Sequence, residues 1–146
     1  MERVVQLEIP ARPEFVGIAR MAIGALAGIR PGFAYERIDD LRIVVSEACT
    51  SAIEMLAHGP GAAPTDPPPG LRLRCIDGPK ALEIRIEAPG SAFESAFPAN
   101  DPDPAEAEEV DSFRISLIRA LVDDAELRSS PGGTELCLVM HRDAGV

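Results

Sequence analysis

Tryptophan is absent from this chain, tyrosine occurs once, and aromatic residues make up only 4% of it. Stacking platforms for nucleic-acid bases are built from such rings, so recognition by stacking has little to work with. Basic residues are also in the minority: 14 Lys and Arg face 24 Asp and Glu, a net charge of −10. A surface of that sign repels a phosphate backbone and attracts a basic one, which argues against direct nucleic-acid binding and for a protein partner. No apolar run is long enough to span a bilayer, and the opening MERVVQLEIPARPEF lacks the charged-then-apolar pattern of a leader. A cytoplasmic place, off the membrane, is expected. Cysteine is sparse: Cys49, Cys75 and Cys137 lie far apart with no C-x-x-C spacing. Each falls inside an apolar periodic segment and reads as a small buried residue, so no metal site is expected.

What is present is periodicity. With 146 residues, 46% of them hydrophobic, the chain suits one domain over 1–146 with one sizeable core. Val5, Leu7 and Ile9 alternate with Gln6 and Glu8 up to Pro10 and predict a first strand. Arg12-Pro13-Glu14 then opens a helix whose apolar face is Phe15, Ile18, Ala19, Ala22, Ile23 and Leu26. A second helix is predicted from about Tyr35 to Leu56, with Ile38, Leu41, Val45, Ala48, Ala52 and Met55 as its stripe. HGPGAAPTDPPPG (58–70) is read as a mobile loop, and the acidic, proline-rich run 94–109 as a solvated flexible segment. LRLRCI (71–76) and LEIRIEA (82–88) form one hairpin, and AELRSS and TELCLVMH form another across Pro131-Gly132-Gly133. Between the hairpins, a third helix over about 110–124 turns Phe113, Leu117, Ile118 and Leu121 inward. The order β-α-α-β-β-α-β-β predicts an α+β two-layer sandwich, a mixed and mostly antiparallel sheet with helices on one face.

One stretch carries more than periodicity. DLRIVVSEACTSAI (40–53) sets Ser46-Glu47-Ala48-Cys49-Thr50-Ser51-Ala52 on the second helix, with Glu47 and Ser51 one turn apart on one face. This string resembles the helix motif of the gyrase and histidine-kinase ATPase superfamily, in its anti-sigma-factor serine/threonine kinase branch. The lead IPARPEFVGIARMAIGAL (9–26) and the element order are similar too. The resemblance implies the histidine-kinase-like ATPase fold. It also makes Glu47 the catalytic position and Ser51 the place of an asparagine that would ligate Mg²⁺. Serine reaches less far towards an octahedral ion. At the place of the adenine-reading aspartate stands Ala88, followed by Gly90 at a family glycine and Ala92 where a second would be. Alanine accepts no hydrogen bond. The lid glycines are replaced by the glycine-free run 109–116, in which Asp111 would repel phosphates while Phe113 and Arg114 fill the vacated space. Gly133 and Thr134 match the closing signature, and Arg20 on the first helix aligns with the family's partner-contacting arginine. His58 and His141 sit at element ends, and neither is expected to be functional.

These departures imply an anti-sigma regulatory factor acting by binding: it sequesters a sigma factor, binds an anti-sigma antagonist, or does both, with a degenerate ATP site, as a monomer or a homodimer. The alternative is an active ATP-dependent serine kinase that phosphorylates such an antagonist. ATP and Mg²⁺ enter only under that alternative. A detached histidine-kinase ATPase domain is disfavoured by the spelling around Glu47 and by the same lost boxes.

Overall fold

The alternating segments become five strands of one sheet: β1 (Arg3–Pro10), β2 (Gly70–Asp77), β3 (Ala81–Pro89), β4 (Asp124–Ser130) and β5 (Gly133–His141). The computed structural model describes residues 1–59, 62, 68–90, 92–93 and 109–143. The expectations of a mobile loop after the second helix and of a flexible acidic segment fall largely outside those residues. Strands run in the order β1-β2-β3-β5-β4, and every neighbouring pair is antiparallel, so the sheet is wholly rather than mostly antiparallel. Both expected hairpins form. The second docks through β5, the more apolar of its strands, which lies between β3 and β4.

Side chains alternate across the sheet. Leu71, Leu73, Cys75, Leu82, Ile84, Ile86, Ala88, Leu136, Leu138 and Met140 are buried on the face covered by helices. The opposite face carries Arg72, Arg74, Glu83, Arg85, Glu87 and Glu135 in ladder register. Cys137 lies on that polar face yet is buried, donating a hydrogen bond to Glu135 Oε1 at 3.3 Å. Burial first, then the Glu135 carboxylate, pushes its thiol up to about 12. All three cysteines are buried and unbridged, in agreement with the reading of them as small apolar residues.

Among the described residues, three helices supply the second layer: α1 (Val16–Ala27), entered by a single 3₁₀ turn at Pro13–Phe15, α2 (Tyr35–His58) and α3 (Glu109–Leu121). α2 is central, packing on α1 at one flank and α3 at the other. That position explains why its buried face is broader than one stripe, taking in Val44, Cys49, Ser51 and Ile53 besides the expected Leu41, Val45, Ala48 and Ala52. On α1 the reverse holds. Ala19, Ile23, Leu26 and Ala27 are buried, while Ile18 and Ala22, expected inside, are exposed. The Arg42 side chain of α2 lies over Gly24, its Cζ 3.1 Å from where a Cβ would stand. On α3, Ile118 is buried and Ile115 and Leu121 pack on the core.

A buried ionic cluster closes one end of the sheet. Asp77, at the end of β2, is fully buried. Arg142, just past β5, donates from Nη2 to Asp77 Oδ1 at 2.5 Å and from Nε to Gly78 O at 3.0 Å. Arg30, in the α1–α2 connection, donates from Nε to Asp77 Oδ2 at 2.9 Å. The Arg142 guanidinium also stacks over the Phe33 ring, 4.4 Å from its centroid. Three segments distant in sequence are thereby tied together.

Candidate functional site

The positions named from sequence fall into three places. Glu47 and Ser51 stand on α2, Ser51 buried and Glu47 half-buried. Ala88, Gly90, Gly133 and Thr134 meet where β3 and β5 end, and Arg20 lies on the outer side of α1.

At the strand ends the ladder sets Ala88 opposite Thr134 and Pro89 opposite Gly133. Ala88 is fully buried, and its methyl group offers no acceptor. Thr134 is 5% exposed, and its Oγ1 is buried with no hydrogen-bond partner. Orphaned hydroxyls are uncommon in folded proteins, and among the described residues Ser46 and Ser130 share this condition. Gly90 turns the chain with φ 63° and has open space around it, whereas Gly133, at φ 145°, is pressed against the β3 backbone. Ala92 and Phe93 follow, both buried.

On α2, Arg114 reaches across from α3. Its Nη1 and Nη2 donate to the two oxygens of Glu54 at 2.6 and 3.2 Å, and its Nε stands 3.3 Å from Glu47 Oε2. The hydrogen bonds from Arg114 are the main cause that lowers the Glu54 pKa. A lowered carboxylate pKa means that the pair's contribution is whole at neutral pH and fades as pH falls through the folded value. Glu54 escaped the sequence reading, although its seven-residue spacing from Glu47 puts it on the same helix face.

Arg20 is exposed and one turn ahead of Gly24 on the same helix. Near it a groove of about 310 Å³ runs between α1 and α2, lined by Gly24, Ala25, Gly28, Ile29, Tyr35, Ile38 and Arg42. Met21 and Tyr35, 74% and 80% exposed, are apolar surface beside it. Among the described residues, no group of three or more His, Cys, Asp or Glu is placed to hold a metal ion, and no helix is long and apolar enough to cross a membrane.

The histidine kinase-like ATPase domain matches residues 9–140. Over 137 residues the chain is 31% identical to the serine-protein kinase RsbW of Bacillus pumilus, covering 90% of this chain and 82% of that protein. The serine-protein kinases RsbW of Oceanobacillus iheyensis and Listeria monocytogenes are each 30% identical, over 88% and 90% of this chain and 80% and 83% of theirs. The five-stranded antiparallel sheet with its layer of helices, and the matches across nearly its whole length, make this chain a member of the histidine kinase-like ATPase domain family.

Proposed function

We propose that this protein is an anti-sigma regulatory factor that acts by binding a sigma factor, an anti-sigma antagonist or both, and that its ATP site is degenerate. Ala88 carries the reading. It is fully buried at the end of β3, where the family resemblance calls for an aspartate that reads the adenine amino group. That group would be left unpaired in a closed pocket, a loss of about 1–3 kcal/mol, or roughly ten- to a hundredfold in affinity. Ser51 is buried on α2 and shorter than the amide it replaces, and the run from Glu109 to Ser116 has no glycine for a phosphate cradle. The residues present do not fit an ATP-Mg²⁺ site built for phosphoryl transfer. Isothermal titration with ATP-Mg²⁺ is expected to give a dissociation constant weaker than about 0.1 mM. A value in the low micromolar range would sink the reading.

The binding surface is proposed on α1, around Arg20 and the α1–α2 groove. In a chain of net charge −10, α1 bears no acidic residue, and Arg20 is its one charge. An arginine at the centre of an interface contributes about 2 kcal/mol or more when its carboxylate partner is desolvated. Arg20→Glu is expected to weaken sigma-factor or antagonist binding by at least about tenfold. Glu47→Ala should leave that binding nearly unchanged, because sequestration needs no phosphoryl transfer. Titrations of both variants against the cognate partner check this, and the reverse pattern would mark a working kinase. Action in the cytoplasm and a homodimer are compatible with this role.

A serine kinase acting on an antagonist is the second reading. The orphaned hydroxyl of Thr134, at the family's closing signature, favours it, as does the likeness to serine-protein kinases. ATP and Mg²⁺ would then be required.

A further inference from the structure

Glu47, Ser51 and Glu54 follow one another along α2 at four- and three-residue spacing, and so share one face over two turns. Arg114 lies across that face, with its fork on Glu54 and its Nε on Glu47. The arginine side chain is only 17% exposed. Lone surface ion pairs contribute little to stability, but a bidentate arginine shared between two carboxylates and largely covered by protein belongs to the exceptions. Lysine, a point charge, could not hold both carboxylates in this geometry. Directly after Arg114, Ile115 and Ile118 pack on the core. Polar contact thus pins the start of the described side chains of α3, and apolar contact pins the rest.

We propose that Arg114 is a latch that closes α3 onto the Glu47–Ser51–Glu54 face of α2, holding Glu47 and Glu54 on one guanidinium. Two things follow from the geometry. The place of the Glu47 carboxylate is set by a guanidinium reaching across from α3. The position of α3 is also set from within the chain, and no nucleotide is needed to hold it there. In functional meaning the inference rests on the degenerate-site reading above, whereas the latch itself can be tested with no partner present.

Hydrogen exchange of the full chain, followed by mass spectrometry, reads the latch directly. Arg114→Ala is expected to speed exchange of the α3 amides by about fivefold or more, the scale of a covered ionic network. Arg114→Lys should give a smaller rise. The β3 and β5 amides, read in the same spectra, should not change. Glu47→Gln with Glu54→Gln should reproduce the Arg114→Ala rise, and combining all three changes should add little, because both routes break one contact. Unchanged α3 exchange in Arg114→Ala, full additivity, or an equal rise in the central strands would each overturn the latch. ATP-Mg²⁺ at millimolar concentration should leave wild-type α3 exchange unchanged, and protection of α3 by it would overturn closure from within. Failure to bind a sigma factor would count against the function proposed above and leave the latch standing.

Discussion

Replacing Asp77 by alanine is expected to cost about 3–5 kcal/mol of folding stability, the effect of stripping a buried guanidinium of its carboxylate. Asp77 is fully buried and is shared by Arg142 and Arg30 at 2.5 and 2.9 Å. Without it, the Arg30 and Arg142 guanidinium groups have no other carboxylate partner among the described residues. Arg142 would keep its bond to Gly78 O and its stack over Phe33, which places the cost within that range rather than above it. In a domain of this size the midpoint of thermal unfolding should fall by about 10 °C or more. Urea unfolding checks it: the midpoint should drop while the slope stays constant. Asp77→Leu combined with Arg142→Met should cost less than the two single changes summed, because Arg142 is then no longer stranded and only the partly exposed Arg30 is left without its carboxylate. A loss below about 1 kcal/mol for Asp77→Ala would show that water reaches the cluster and solvates it.

Gly133→Ala is the second large effect, expected at about 2–4 kcal/mol. Gly133 opens β5 with φ 145°, a region side chains rarely adopt, and a Cβ there would collide with Ala88 O and lie 2.7 Å from Gly90 N and 2.9 Å from Pro89 C. These are backbone atoms, so no rotamer change can relieve them. Gly90→Ala is the built-in comparison. It too has a positive φ, 63°, but nothing stands within contact of the added carbon, so only the conformational cost of about 1 kcal/mol applies. Denaturant midpoints of the two variants should differ by most of the larger effect. Equal losses would show that backbone conformation, and not the close approach of β3, sets the requirement at Gly133. The glycine read as part of a closing signature thus has a structural duty whether or not a nucleotide binds.

Local patterns were the legible part of this fold. The alternation in 71–76, 82–88 and 134–141 located three strands, since one face of the sheet is apolar and the other wet. α2 was legible because no Gly or Pro interrupts it from Tyr35 to His58. The phase of α1 was not. Its sequence is apolar nearly all round, so periodicity could not tell Ile18 and Ala22 from the buried Ala19 and Ile23, and packing against α2 and the sheet decides between them. Placement of β5 between β3 and β4 rests on pairing between distant segments, which hairpin signals do not report. The Asp77 cluster was hidden for the same reason: Asp77 next to Gly78-Pro79 reads as a turn residue, and its partners lie 47 and 65 positions away. At the site, the motif string singled out Glu47 and Ser51, and the glycine-free run placed Arg114 only in the space that lid glycines would leave open. That Arg114 lands on Glu47 and Glu54 needed three-dimensional placement of α3.

Tyr35 has an optical consequence. It is the one tyrosine in a chain without tryptophan, and it is 80% exposed at the rim of the α1–α2 groove. Apart from five weakly emitting phenylalanines, its ring is the only intrinsic fluorophore the protein has. Near-ultraviolet emission from the unlabelled protein therefore reports on one spot, on the flank where Arg20 lies, and is silent about β3, β5 and α3. A protein docking over that groove would immobilise the ring and raise its emission anisotropy, and a tryptophan in the docked protein would drain its emission by energy transfer. Binding elsewhere would leave the signal as it is, apart from slower tumbling of the whole.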